Sequence, residues 1–166
     1  MKRILASALL LCCVLSLAAC SSQPKNIFFT AQDLNGKTVY GDEVFKANKV
    51  TLINVWATWC GPCVSELPEL QKIYNEYKDT GVEIIGLCVD QNPQANMSTI
   101  KNTLSKAGVK YKIIFNTQEL NDLFPAKYIP TTYFIDSNGN AVGEPIVGAD
   151  PASYRARIEL MLSKNN

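Results

Sequence analysis

The most constraining feature of the sequence is a buried strand that runs into an amphipathic helix through a short segment bearing two cysteines. Residues 50–56, Val-Thr-Leu-Ile-Asn-Val-Trp, are β-branched and nearly continuously apolar, a pattern typical of a strand covered on both faces. From Pro62 to about Lys78, apolar residues recur at three- and four-residue spacing, which predicts a helix. Cys60 and Cys63 lie at the junction. In an α/β domain this junction is at the carboxyl end of a strand, where such folds place their sites.

The rest of the chain continues the alternation of strands and helices. Asn35-Gly36 separates two apolar runs and predicts a hairpin between residues 27–30 and 37–40. Asp150-Pro151 is an N-cap followed by proline, which opens a last helix to about Ser163. We therefore expect an α/β domain whose parallel strands are joined by right-handed crossovers. Further strands are predicted at 82–89, 112–115, 132–135 and 141–147, and helical segments at 94–107 and 119–124.

The composition excludes several kinds of chemistry. The 166 residues include no histidine and six cysteines, so a Ser-His-Asp triad, a Cys-His dyad and a His-ligated metal are all excluded. The 16 basic and 15 acidic residues nearly balance and form no basic run, so nucleic-acid binding is not expected. Cysteine is the residue type left to carry chemistry.

The first twenty residues have the layout of an export signal. Lys2-Arg3 precede an apolar stretch from Ile4 to Leu17, which is shorter than the roughly 20 residues that span a bilayer. It ends in Leu17-Ala18-Ala19-Cys20, which resembles the lipobox of bacterial lipoproteins, where cleavage precedes a cysteine that carries diacylglycerol. We predict a signal peptide over 1–19, a tether lipid-anchored through Cys20 over 20–25 and a folded domain over 26–166. The predicted location is extracytoplasmic, at the bacterial membrane.

Cys60 and Cys63 form a Cys-Gly-Pro-Cys motif at the start of the predicted helix. Thiols at this spacing can close a small-ring disulfide and reopen it. The free N–H groups and the dipole of the helix N-terminus would stabilise a thiolate at Cys60. We expect Cys60, exposed at the helix tip, to attack a client disulfide, and Cys63, one turn inward, to resolve the mixed disulfide.

Other roles for the cysteine pair fit the sequence less well. A zinc site needs more ligands than the single remaining Cys88 could add. Copper-delivery lipoproteins of similar architecture have a wider cysteine spacing and a distal histidine, and this chain has neither. A purely structural disulfide would be unusual in a tight loop at a helix start. Cys88 lies within an apolar strand, which predicts an inert core residue rather than a third redox thiol. No metal or cofactor is expected.

Residues 55–63, Val-Trp-Ala-Thr-Trp-Cys-Gly-Pro-Cys, resemble the active-site segment of thioredoxins. With Ser65-Glu66-Leu67-Pro68 and the leader, the chain is most similar to the TlpA/ResA branch of membrane-anchored thiol–disulfide oxidoreductases. The resemblance covers roughly 26–162 and is strong again at 128–136, where Pro130 matches a cis-proline that faces the dithiol. It implies a thioredoxin-like fold, with a central mixed sheet flanked by helices, an N-terminal hairpin and a strand–helix insertion within residues 82–115.

The resemblance also implies the residues of the site. Thioredoxin has a buried aspartate before the motif, and here that position is Asn54, which cannot accept a proton at neutral pH. Asp90 and Glu66 are the candidate acid–base groups, although we expect Asp90 to lie in solvent at a strand end and Glu66 to be an exposed helix residue. The catalytic pair would be Cys60 and Cys63, and the client groove would be formed or supported by Trp59, Gly61, Pro62, Ile129, Pro130 and Thr131.

Gly61-Pro62 between the cysteines is the thioredoxin pair, at the reducing end of the family. The prediction is therefore a monomeric reductase of extracytoplasmic protein disulfides, with cytochrome c maturation as one setting. The resemblance implies a transmembrane electron donor of the CcdA/DsbD type. Two other classes stay open, a thioredoxin-fold peroxidase and a non-enzymatic chaperone or metal-carrier lipoprotein. Peroxide turnover and metal titration of the reduced protein distinguish them.

Overall fold

The computed structural model describes residues 26–164, and strands and helices alternate through most of this length. The predicted leader and Cys20 lie outside the described residues. Within them, no helix is long and apolar enough to cross a membrane. The strands are β1 (Thr30–Gln32), β2 (Thr38–Tyr40), β3 (Val50–Trp56), β4 (Val82–Cys88), β5 (Lys112–Phe115), β6 (Thr131–Asp136) and β7 (Ile146–Val147). The helices are α1 (Gly41–Ala47), α2 (Gly61–Tyr77), α3 (Met97–Ala107), α4 (Gln118–Leu123) and α5 (Pro151–Lys164), and a 3₁₀ turn covers Lys78–Thr80.

A five-stranded mixed sheet in the order β5-β4-β3-β6-β7 forms the centre of the fold. β4 runs parallel to β3 and β5 parallel to β4, whereas β6 runs antiparallel to β3 and β7 antiparallel to β6. The β1–β2 hairpin is a separate antiparallel pair that contacts β5 through a bridge between Asp33 and Ile114. The central mixed sheet agrees with the prediction. The N-terminal hairpin is also present, but its first strand is Thr30–Gln32 rather than the predicted 27–30.

β3 is buried along its whole length because alternate side chains enter two apolar clusters. Leu52 and Trp56 pack with residues of α2 and α5 on one face. Ile53 and Val55 pack on the other face with residues of the hairpin, α1 and α4. Complete burial of one such side chain contributes about 1.5–3 kcal/mol. The strand covered on both faces that the continuous apolar run predicts is therefore confirmed.

Three local differences from the sequence prediction have physical causes. The predicted strand over 141–147 is reduced to β7 and one bridge at Ala141, because Gly143 adopts a positive φ of 71° and Pro145 has no N–H for a ladder. α3 begins at Met97, later than predicted, and ends at the left-handed Gly108. α1 was not predicted, and its seven residues carry little periodicity beyond the buried Phe45.

One edge of the sheet, formed by the ends of β3 and β4 and the start of β6, is the place where a site is expected. β3 and β4 end together, with Trp56 opposite Cys88, and β6 begins beside them, with Thr131 opposite Val55. α2 starts at this edge. The chain enters the described part at the opposite edge, where the Ile27 N–H donates to the Gly139 carbonyl at 2.7 Å.

Candidate active site

The dithiol lies where β3 gives way to α2. Cys60 and Cys63 form a disulfide with an S–S distance of 2.02 Å. Cys60 is the N-cap of α2, and its Sγ accepts the Cys63 N–H at 3.2 Å. The first turn of α2 contains no acidic residue, so nothing there offsets the positive end of the helix dipole. Once the disulfide is reduced, this position favours a thiolate at Cys60.

The disulfide is largely covered. Cys63 is 0% exposed and Cys60 only 6%, so the expectation that Cys60 is exposed at the helix tip is wrong for the oxidised protein. Its Sγ turns toward the Ile129 carbonyl oxygen, 3.5 Å away. Gly61 and Pro62 are exposed beside it. Cys60 is still the more accessible of the two sulfur-bearing residues.

The loop before β6 lies against the dithiol, as predicted. The Ile129–Pro130 peptide bond is cis, and Thr131 Oγ1 donates to the Tyr128 carbonyl at 2.6 Å. Pro130 itself is buried. Tyr128 is 64% exposed, and Trp59, next to Cys60, is 70% exposed. Two large aromatic side chains thus lie in solvent on the chain segments that meet at the disulfide.

A buried carboxylate lies one turn beyond Cys63. Glu66 is 3% exposed, so the prediction of an exposed helix residue is wrong. Asn54 Nδ2 donates to Glu66 Oε1 at 2.8 Å, and the Tyr154 hydroxyl donates to Glu66 Oε2 at 3.0 Å. Burial raises the pKa of Glu66 to about 7, against the opposing effect of these two hydrogen bonds. Asn54 cannot accept a proton itself, but its hydrogen bond positions Glu66, which can.

Asp90 is also buried, at 6% exposure, and the expectation that it lies in solvent is wrong. Its carboxylate accepts the Thr58 N–H at 2.8 Å and the Thr58 hydroxyl at 2.6 Å. The pairing of Trp56 with Cys88 brings the residues just after β3 and β4 together. Asp90 thus holds the loop that leads from β3 to Cys60.

Cys88 is the free cysteine of the described residues and is fully buried. Burial raises its pKa to about 12, so it stays a protonated thiol at physiological pH. This environment agrees with the predicted inert core residue. Among residues 26–164, no group of His, Cys, Asp and Glu side chains could hold a metal ion.

Tyr154 and Thr132 also belong to the buried network, and neither was expected there from the sequence. Asn54 Nδ2 also donates to Thr132 Oγ1 at 3.0 Å. Tyr154 lies four residues before Ile158, a spacing typical of a core-facing helix position. The only available sequence signal was therefore that of a core aromatic, with no indication of a carboxylate partner.

Together, the fold and its dithiol define the class of thioredoxin-like thiol–disulfide oxidoreductases. A solved thiol:disulfide interchange protein of the thioredoxin family from Chlorobium tepidum TLS superposes with a TM-score of 0.72 at 26% identity, over 84% of this chain and 97% of that chain. The chain belongs to the AhpC/TSA family, whose model matches residues 24–142. It is also similar to curated proteins named thiol-disulfide oxidoreductase ResA.

Two of these relatives illustrate the extent of the match. ResA of Halalkalibacterium halodurans is 33% identical over 129 residues, which cover 76% of this chain and 68% of that protein. ResA of Bacillus anthracis is 33% identical over 121 residues, which cover 72% of this chain and 66% of that protein. The match thus spans about two thirds of the length of these curated relatives.

Proposed function

We propose that this protein reduces disulfides in extracytoplasmic proteins through its Cys60/Cys63 dithiol. The observation that carries the proposal is the closed disulfide at the N-terminus of α2, with Cys60 as the helix N-cap and the Ile129 carbonyl 3.5 Å from its Sγ. The Gly61-Pro62 pair between the cysteines favours the reducing direction.

The reaction proceeds in two exchanges. The Cys60 thiolate attacks one sulfur of the client disulfide, which forms a mixed disulfide and releases the first client thiolate. Cys63 then loses its proton and attacks Cys60 Sγ, which releases the second client thiolate and closes the Cys60–Cys63 disulfide. The client gains two electrons and the protein loses two. Trp59 and the Ile129–Thr131 segment form the groove that receives the client.

Glu66 is the group proposed to take the proton from Cys63. It follows Cys63 by three residues on the buried face of α2, and its pKa of about 7 makes both protonation states available near neutral pH. The carboxylate accepts the proton during client reduction and returns it when the dithiol is regenerated. Asp90, bound to Thr58, acts as a brace for the loop rather than as an acid or base.

The proposed location is supported by sequence features outside the fold, and the proposed electron supply by the family resemblance. The Leu17-Ala18-Ala19-Cys20 segment supports a lipid anchor at Cys20, and more than one acyl chain would make such an anchor stable. An extracytoplasmic reductase needs electrons from the cytoplasm. We propose a transmembrane dithiol donor of the CcdA/DsbD type as that source.

Trapping experiments test the division of labour between the two cysteines. Cys63→Ser should accumulate a mixed disulfide between Cys60 and its client because the resolving thiol is missing, whereas Cys60→Ser should accumulate none. Both should lose insulin-type disulfide reduction, and Cys88→Ser is the matched control that should keep it. Stronger trapping by Cys60→Ser would reverse the assignment.

The same variants discriminate the other functional classes. Peroxide turnover by Cys63→Ser would indicate a peroxidase that needs a single reactive cysteine. Tight stoichiometric binding of Cu(I) or Zn(II) by the reduced protein, without disulfide reduction, would indicate a metal carrier. Either result would overturn the proposed reductase function.

A further inference from the structure

The hydroxyl of Tyr154 lies between two acceptors. Its oxygen is 3.0 Å from Glu66 Oε2 and 2.9 Å from the Gly148 carbonyl oxygen. A phenol carries one hydrogen, so it can donate to only one of them at a time. Tyr154 is 0% exposed, so its hydroxyl finds its partners within the protein.

The protonation state of Glu66 determines which acceptor receives this hydrogen. An ionised carboxylate can only accept, and a hydrogen bond to a charged group is stronger than one to a neutral carbonyl. The Tyr154 hydroxyl then donates to Glu66. A protonated Glu66 can instead donate its own O–H to the Tyr154 oxygen, which frees the hydroxyl to donate to Gly148.

Gly148 is directly connected to the active-site loop. Its N–H donates to the Pro130 carbonyl at 2.8 Å, and the preceding Ile129 carbonyl lies 3.5 Å from Cys60 Sγ. A change in the hydrogen bond to the Gly148 carbonyl therefore acts one peptide group away from the loop that contacts Cys60.

We propose that Tyr154 is a positioning residue that couples the protonation of Glu66 to the Gly148–Pro130 contact beside Cys60. The role of this coupling in disulfide exchange rests on the proposed function, in which Glu66 exchanges a proton with Cys63. The coupling itself is a property of the folded, oxidised protein and can be measured without any client.

Within residues 26–164, the other side chains that bond or face Glu66 are uncharged and do not compete with Tyr154. Asn54 from β3 donates to Glu66 and to Thr132 of β6. The side chains of Asn54 and Thr132 are both neutral. Tyr111, before β5, has a pKa raised by burial and by Glu66, so it stays protonated. Cys63, one turn earlier on α2, is held in the disulfide.

The test is a pH titration of the oxidised protein, followed by NMR on the carboxyl carbon of Glu66 and the carbonyl carbon of Gly148. In the wild type both signals should titrate with one midpoint. In Tyr154→Phe the Glu66 midpoint should rise by about one pH unit, since the ionised form loses a donor, and the Gly148 signal should stop titrating. Tyr77→Phe is the matched control, since the Tyr77 hydroxyl donates to Glu159 at 3.0 Å. This substitution should change neither signal.

Two results overturn the proposal: an unchanged Glu66 midpoint in Tyr154→Phe, or a Gly148 signal that still titrates there. If Tyr154→Phe does not keep the native fold, Glu66→Gln provides the second test. Gln imitates the protonated acid, so Gly148 should stay at its low-pH chemical shift throughout, and a Gly148 signal that follows pH overturns the coupling. A protein that shows the coupling but reduces no disulfide refutes the proposed function and leaves the inference intact.

Discussion

The buried Glu66 makes the stability of the oxidised protein depend on pH in a direction that one substitution can reveal. Its pKa rises from 4.5 to about 7 on folding because burial disfavours the charged form. The native state therefore binds more protons than the unfolded state between these values, and stability falls as pH rises through this window. The stabilising contribution is complete below pH 4.5 and lost above about pH 7.

The size of this effect follows from the pKa difference. A change from 4.5 to about 7, at about 1.36 kcal/mol per unit, corresponds to about 3 kcal/mol. Glu66→Gln removes the titration and keeps an acceptor for Asn54, since Gln resembles the protonated acid. We expect the variant to match the wild type at acidic pH and to exceed its free energy of unfolding by about 3 kcal/mol at alkaline pH.

The difference in free energy of unfolding is measured by urea unfolding of the oxidised wild type and variant. The pH series should extend from below 4.5 to above about 7. Glu69→Gln is the control on the same helix, because Glu69 is only partly buried and pairs with Lys72, which holds its pKa below its usual range. It should show no gain as pH rises. A difference between Glu66→Gln and wild type that does not change with pH would refute the raised pKa and, with it, the proton acceptor for Cys63.

Three further predictions concern the anchor, the third cysteine and the core. Cys20→Ser should give an unprocessed or soluble protein, and mass spectrometry of the wild type should find an acylated N-terminus; a free Cys20 sulfur with an intact leader contradicts this. Cys88→Ala should keep disulfide reduction and lose about 1 kcal/mol or somewhat more in stability, and loss of activity in a folded variant would place Cys88 in the site. Gly86→Ala should cost about 1–3 kcal/mol by overpacking, because a Cβ there would meet Ile113 Cδ1 at 2.5 Å and Trp56 Nε1 at 3.1 Å, and both side chains are buried. Gly61→Ala, where the space is open, is the matched stability control, and equal effects would contradict the packing argument.

Local pattern was sufficient to predict the dithiol and its setting. A strand buried on both faces and a helix of regular periodicity fix where Cys60 and Cys63 lie, because both signals are contained within adjacent residues. The placement of Pro130 beside them required the family resemblance. No local rule brings a residue of β6 to the end of β3.

The acidic residues show where such reasoning stops. Glu66 lies three residues after Cys63 and four before Leu70, so helical spacing did place it on the buried face. Charged residues are rarely buried without partners, so a sequence that shows no partner predicts an exposed side chain. Its partner Tyr154 is 88 residues away, and nothing in the sequence indicates that pairing. The same rule predicts a solvated Asp90, whose partner Thr58 lies in the loop that follows the neighbouring strand β3.

The entry of the chain at the edge of the sheet opposite the dithiol has a practical consequence for anyone who immobilises or labels this protein. The seven residues of β3, at about 3.3 Å each, separate the two edges by about 20 Å. A bead, sensor surface or fusion partner joined ahead of Asn26 therefore approaches the domain from its far side. The end of the sheet that carries the disulfide and the exposed Trp59 then points away from the support, so even a large folded client can approach it without meeting that support.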